Sequence, residues 1–583
     1  MKKIINLFLL YIIIILLSGC SIFNKYHIHV YDDSSTSPSI LNKCIYENCN
    51  AGKMPEKNDY YDEAIKYNYK QSTIDEMETL FNDLHNYLEQ SKTINNENLE
   101  EIGNLACESL IQYIKLYNEI IAQYQYSKIQ YDIKQNKENA DRYDQLTKIY
   151  NEYEKQYCEI IYQLSQSNLK QYTLEKYSED YLKKIEKEYN SRLNLELQKL
   201  LDKEVELEIQ AKEIKDIFTS NEVLKVYNQI IQNNNQIAKL YNYDSYIEYA
   251  YENYYYRDYS YQESLLYCEK VKQYISPLFE KTYNEYMQLV DNNSLSNKEY
   301  DYYLGVLSES FFENQITNTL VNDYMTLIND ENKLNFSEEF ISLFASGNYF
   351  IGEYEGAYEW NIKYLGTPIL YFGSDGYSSS FTIVHEFGHY MNDLIYNNHE
   401  SYDLLECHSQ GNELLYLSYL ETVIPKNSFE LIEKYQILKM MERILLSAAI
   451  NIFEIAVYNN YYTATDCNLY LSDNKITYNE YDDLFKSILK WFNIDNLGYE
   501  QYWRNLVDFN QCYYISYSVS AVAALQIYAK SVTDGFDDAM NSYLKLFNYY
   551  DIYKEYTFDQ ILEYAGLYSF NNDKAFELIT NIY

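Results

Sequence analysis

A chain of 583 residues is longer than one compact core organises, so two or three lobes are expected. Hydrophobic residues at 47% and charged ones at 23% exclude a disordered chain, while 15 Gly and 5 Pro leave few turns and favour long helices. A net charge of -40 argues against nucleic acid as a partner, because phosphate binding needs clustered cations. The acidic excess serves solubility; a negative cleft that attracts cationic peptides is the alternative. With 74 tyrosines in the chain, a usage that resembles the codon bias of an AT-rich bacterium, one tyrosine near a site is weak evidence of a role.

Residues 1–20 read as an export signal. Lys2 and Lys3 precede an apolar run from Ile4 to Leu17, too short for a comfortable membrane span. The run ends Leu17-Ser18-Gly19-Cys20, which resembles the lipobox of bacterial lipoproteins, with small residues before a cysteine that receives a diacylglyceryl group. Acylated Cys20 would hold the chain, palmitate included, at the extracytoplasmic face of the membrane. A plain signal peptide or an uncleaved anchor is the alternative, and either also places the chain outside the cytoplasm. Residues 21–59, with Ser34-Ser35-Thr36-Ser37-Pro38-Ser39, lack periodicity and read as a polar tether. The other eight cysteines form no CxxC pair, so most are expected as small core residues; Cys44 and Cys49 are close enough for one disulfide loop.

From residue 60 to 218 apolar residues recur at three and four positions, as in Met77, Leu80, Phe81, Leu84 and Leu88, which predicts a helical lobe. Glu175 to Lys215 predicts one long helix or a helical hairpin with a solvated charged face. Helical periodicity resumes from Asn221 to about Leu343 and again after His389, with no internal repeat.

Between them the texture changes. Gly347, Gly352, Gly356, Gly366, Gly373 and Gly376 surround Thr367-Pro368-Ile369-Leu370-Tyr371-Phe372, which predicts a small sheet, with Pro368 suited to an edge strand. An edge strand offers free amides and carbonyls to an extended peptide; a mere hairpin packed on helices is the alternative. Ser378-Ser379-Ser380 then predicts a helix start. That helix carries His385-Glu386-Phe387-Gly388-His389. Two imidazoles four residues apart share one helical face and converge on a single zinc ion, and Glu386 reaches the water that such a metal activates. With only 7 His in the chain, the string rarely arises by chance. A catalytic zinc takes three protein ligands. The third comes from Asp403 to Glu413, where Glu406, Glu413 and His408 are the candidates.

HEFGH followed by Glu406-x-x-Ser409-x-x-x-Glu413 resembles the thimet oligopeptidase and oligoendopeptidase F family of zinc metallopeptidases. The resemblance implies a mainly α, bilobed metallopeptidase fold with a small β-sheet beside the zinc helix, and one Zn²⁺ per chain. It implies a catalytic domain over residues 219–583 and the hydrolysis of oligopeptides, by a chain expected to be a monomer. It makes His385, His389 and Glu406 the metal ligands, Glu413 an outer partner and Glu386 the catalytic base. Upstream, Gly356, Ala357, Tyr358, Ile369 and Tyr371 match its substrate-contacting loop and strand. Downstream, Tyr513 to Ala521 matches its tyrosine-rich segment, with Tyr514 and Tyr517 as oxyanion donors. Two departures stand out: the stretch from His389 to Glu406 is short, and no histidine follows His408 where the family has one before the tyrosine. A peptide-binding surface protein on a retired peptidase scaffold, or a helical adhesin, are the rival readings.

Overall fold

The computed structural model describes residues 71–582, apart from 94–95, 176, 178, 215, 293–294, 329–334, 363–366, 374–377, 396–400, 460–476, 509–510 and 548–555. The leader with Cys20, the tether, the Cys44 and Cys49 pair, Gly366 and Gly376 lie outside the described residues. Among the described residues no helix is long and apolar enough to cross a membrane.

The periodicity near the start closes into a bundle. Helices α1 (Gln71–Ser91), α2 (Asn96–Ile133), α3 (Lys137–Ser165) and α4 (Glu179–Leu193) bury Met77, Leu84, Leu110, Tyr157 and Ile161 in one core. Tyrosine does much of this packing: Tyr117 stacks on Tyr157 with ring centroids 5.0 Å apart. The charged stretch after residue 175 is a pair of helices, α4 and α5 (Leu195–Glu213). They are separated at Asn194, whose side chain accepts from the Glu196 and Leu197 amides and so starts α5. A second, larger core runs from Leu197 to Ile579. The change of core therefore falls between Ile185 and Leu197, earlier than the expected boundary at 218. The reason is that α5 turns its Leu197, Leu207 and Ala211 toward the larger core. Cys158, Cys268, Cys407 and Cys512 are buried, and Cys107 is partly buried.

Three strands follow: β1 (Tyr349–Gly352), β2 (Ala357–Ile362) and β3 (Thr367–Gly373), in the order β1-β3-β2. β3 is therefore the central strand rather than an edge. It runs parallel to β1 and antiparallel to β2, with Tyr358 opposite Tyr371 and Glu359 opposite Leu370. Pro368 is tolerated because its nitrogen faces the β1 side, as the Leu370 amide does when it donates to Asn348 O at 3.0 Å; β1 begins only opposite Leu370. Among the described residues β1 and β2 are the two outer strands, each paired only with β3.

One face of the sheet packs on α2, where Ala122, Tyr126 and Ile129 meet Phe350, Tyr358, Ile369 and Tyr371. The Glu353 and Tyr354 amides donate to Ile133 O and Asp132 O at 3.2 and 2.9 Å, satisfying carbonyls at the end of α2. The other face presents Ala357, Leu370 and Phe372 to the second, larger core. The sheet thus couples the two lobes and sits directly above the HEFGH helix.

Candidate metal centre

Helix α6 (Ser380–Ile395) begins where the serine run predicts. Ser379 Oγ accepts from the Thr382 amide, while Ser378 and Ser380 bond outward to Ser310 Oγ (2.9 Å) and Val306 O (2.7 Å). Ile383, Val384, Phe387 and Met391 bury one side of α6, so the 3.6-residue repeat turns His385 and His389 to the other. Their ring centroids are 5.1 Å apart. Helix α7 (Tyr402–Val423) starts at Ser401, which accepts from the Asp403 amide at 3.3 Å, and carries Glu406 one turn later.

The two helices cross in close contact. A Cβ at Gly388 would lie 2.5 Å from His408 O and 2.8 Å from Ser409 Cα, so only glycine permits this approach. Asn412 reinforces it by donating to Val384 O at 2.7 Å. The crossing brings Glu406 Oε2 to 3.9 Å from both His385 Nε2 and His389 Nε2, and the three ligand atoms lie within 4.8 Å of one another. A tetrahedral zinc with bonds near 2.0–2.1 Å places its ligands about 3.3 Å apart, so a small contraction closes the set around an ion. Two neutral nitrogens and one carboxylate oxygen are also the donor set that zinc takes at hydrolytic sites.

Surrounding groups orient these three. Glu413 Oε1 accepts from His385 Nδ1 at 2.6 Å, which leaves the Nε2 lone pair facing the site. Arg443 Nη1 donates to the same oxygen at 3.4 Å. Burial would raise Glu413, but Arg443 and His385 hold it below the usual carboxylate range. Burial would lower His385, but the bond to Glu413 together with the charges of Glu413, Glu386 and Glu406 outweighs it, holding the imidazole above its ordinary value. Glu406 Oε1 accepts from the Tyr513 hydroxyl at 2.9 Å, and Ser409 Oγ donates to its Oε2 at 3.2 Å. Glu386 is 1% exposed, and its Oε2 has no hydrogen-bond partner among the described residues. Burial, with Glu406 and Glu413 nearby, pushes it up to about 8. An ionisable, unpartnered carboxyl beside a three-donor cluster is what a proton acceptor at a hydrolytic metal requires.

The structure brings His385, Glu386, His389, Glu406 and Glu413 together and places other expected residues elsewhere. His408, the weaker rival ligand, lies 3.3 Å from Leu546 O and packs on Phe547; burial pushes it down to about 4, so it is a neutral core histidine. Tyr514 is hydrogen-bonded to Tyr502, whereas Tyr517 packs edge-on against Tyr513 at 5.1 Å. Tyr358, Ile369 and Tyr371 are not positioned to touch a peptide beside the metal site. Strand alternation turns them to the α2 face, where Tyr358 donates to Asp132 Oδ2, Tyr371 donates to Asp132 O and the two rings stack at 4.9 Å. Gly356 leads into β2, its carbonyl accepting from Gly373 N at 2.7 Å, and Ala357 faces the larger core.

Three contributors escaped the sequence reading. Tyr513 stood in a recognised segment, but only packing selects it over its neighbours. Arg443 carried a signal, the adjacent charges Glu442 and Arg443 inside the otherwise apolar run Met440 to Leu446. Arg257 is buried between the Tyr251 and Tyr255 rings, 3.5 Å from Asp403 at the start of α7, and donates to Ser516 Oγ, so it ties α7 to the Tyr513 segment.

The fold is a mainly helical scaffold with a small sheet beside a two-histidine helix, and it matches the helical oligoendopeptidase fold. Among solved structures the chain is similar to Pz peptidase A with an inhibitor bound, at a TM-score of 0.57 and 16% identity over 87% of this chain and 96% of that one. It is similar also to a structure assigned as an oligoendopeptidase F from Bacillus anthracis (0.54, 15%, 88% and 96%) and to one assigned as a peptidase from Chlamydophila abortus (0.53, 16%, 82% and 91%). No family model matches the sequence and no curated protein matches it significantly, so the likeness is one of fold.

Proposed function

We propose that this chain is a zinc-dependent metalloendopeptidase of the oligopeptidase type, hydrolysing peptide bonds in short peptides at the outer face of a bacterial membrane, where acylated Cys20 anchors it. The observation that carries the reading is the convergence of His385, His389 and Glu406 within 4.8 Å, with the unpartnered Glu386 carboxyl beside them. These three side chains would hold the ion, and zinc bound there supplies Lewis acidity to a water and to the scissile carbonyl. Glu386 takes a proton from the attacking water and returns it to the leaving amine. The outer edge of β2 pairs with the extended peptide backbone and sets its register above α6. Of the two expected oxyanion donors, Tyr517 is the better placed, because its ring packs on the tyrosine that bonds Glu406.

The test is cleavage of quenched-fluorescent peptides by the wild type and by Glu386→Gln, together with zinc content. The wild type should hold one zinc and cleave, while the variant holds zinc and loses about 10²-fold or more in kcat. Equal activity in both sinks the mechanism. The absence of any histidine after His408 favours a second reading, a lipoprotein that binds peptides without turnover. Tight peptide binding with no cleavage by the wild type selects it. For the anchor, radiolabelled palmitate should enter the wild type and not Cys20→Ala.

A further inference from the structure

The metal-facing side of β2 carries a residue that the peptidase mechanism does not use. Strand alternation that sends Tyr358 to α2 sends Ala357 and Glu359 to the α6 side. There the charges acting on Glu359 are those of Asp393 and Glu386, both on α6 and both of its own sign, and Glu359 is hydrogen-bonded to Asp393. A carboxyl pair bonds in this way only by holding a proton between them. Two oxygens of the trio, Glu359 Oε1 and Glu386 Oε2, are buried with no hydrogen-bond partner among the described residues. Glu386 is 99% buried, yet this oxygen meets no donor. The orphaned Glu359 Oε1 accepts from any donor brought beside β2, and among two carboxyls of the same sign a cationic donor is the best matched.

The backbone says where that cation comes from. Gly373 N donates to Gly356 O, which fixes the alternation of the β2–β3 ladder and points the amides and carbonyls of Ala357, Glu359 and Asn361 away from β3. Asn361 O is taken by Gln125 Nε2 at 3.1 Å. The Ala357 and Glu359 positions are left as the pairing edge. A peptide residue hydrogen-bonded opposite Glu359 has its Cβ roughly 5 Å from that of Glu359 and on the same face, within reach of the carboxyl for a long basic side chain.

We propose that Glu359, backed by Asp393, is a specificity-determining residue that selects a lysine or arginine at the substrate position paired with it, next to the scissile bond. This rests on the peptidase reading above. A guanidinium or ammonium there takes the place of the shared proton and donates to Glu359 Oε1, leaving Glu386 to the attacking water.

Peptide pairs that differ only by arginine against citrulline, its neutral isostere, at successive positions measure the effect. One position should show kcat/KM at least tenfold higher for arginine, and Glu359→Gln should bring that ratio close to one. Glu359→Lys should invert the preference, toward glutamate. The same ratio read as Kd, by fluorescence anisotropy with the cleavage-impaired Glu386→Gln protein, separates the two readings. If the wild type cleaves nothing, the peptidase reading fails, while a tenfold arginine preference in binding that Glu359→Gln removes still supports the cation site. A ratio near one at every position, or one that survives in both Glu359→Gln and Asp393→Asn, overturns it.

Discussion

Replacing Gly388 by alanine sets two effects of opposite sign against each other. Gly388 lies inside α6, and by helix propensity alone the substitution stabilises by about 1 kcal/mol. Against this, the new Cβ would stand 2.5 Å from His408 O, about 0.9 Å short of the 3.4 Å at which ordinary contact begins, and 2.8 Å from Ser409 Cα. Both obstacles are backbone of α7, so no side chain can swing aside and the two helices must part. Overpacking of this kind costs about 1–3 kcal/mol, and with both obstacles in backbone the upper part of that range applies, for a net loss of up to about 2 kcal/mol. The metal site suffers more than the fold, because two ligands ride on α6 and one on α7. Glu406 Oε2 already stands 3.9 Å from each Nε2, and parting the helices moves it further from the ~3.3 Å that a tetrahedral ion wants. Thermal denaturation should show a Tm lower by a few degrees, and chelator competition a zinc Kd raised at least tenfold. A variant with wild-type zinc affinity and an equal or higher Tm would show that propensity wins and that the crossing is not a steric limit.

Tyr513→Phe removes the donor to Glu406 Oε1 and keeps the ring between Tyr402 and Tyr517. Zinc affinity should fall roughly tenfold with little change in Tm, and an unchanged Kd would refute the orienting role. Glu413→Gln leaves the buried Arg443 without its carboxylate and weakens the hold on His385, so both stability and zinc affinity should fall, the latter by about 10–100-fold. Adding Arg443→Met should recover stability but not affinity; recovery of both would mean that Glu413 acts only as a counter-ion. Glu454 accepts from the Cys512 amide at 2.6 Å, and burial pushes it up to about 8. The folded chain therefore keeps a proton that the unfolded chain loses above about 4.5, so this group's contribution is fully present below 4.5 and is lost as pH rises to about 8. Glu454→Gln should raise Tm, by more at pH 8.5 than at pH 5, with a gain of at most about 5 kcal/mol. A pH-independent difference would remove burial of the charge as its cause.

The helices and the two-histidine face of α6 were legible in the chain because they are local: a 3.6-residue repeat, a serine cap and an i,i+4 pair need no knowledge of what lies opposite. The nomination of Glu406 needed the resemblance as well as the spacing, since Glu413 and His408 share its short stretch. Strand order was out of reach, since the Gly-bounded run at 367–372 looks the same at an edge or in the centre; pairing with both β1 and β2 made it central. The side chains of Tyr358 and Tyr371 were misjudged for the same reason, because alternation fixes that they share a face but not which face meets the metal. Only the crossing of α6 and α7 decided that Gly388 must be glycine, that Tyr513 rather than Tyr514 meets Glu406, and that Arg443 holds Glu413. Each is a contact between residues far apart in sequence, and such contacts arise from packing, which no local pattern of residues encodes.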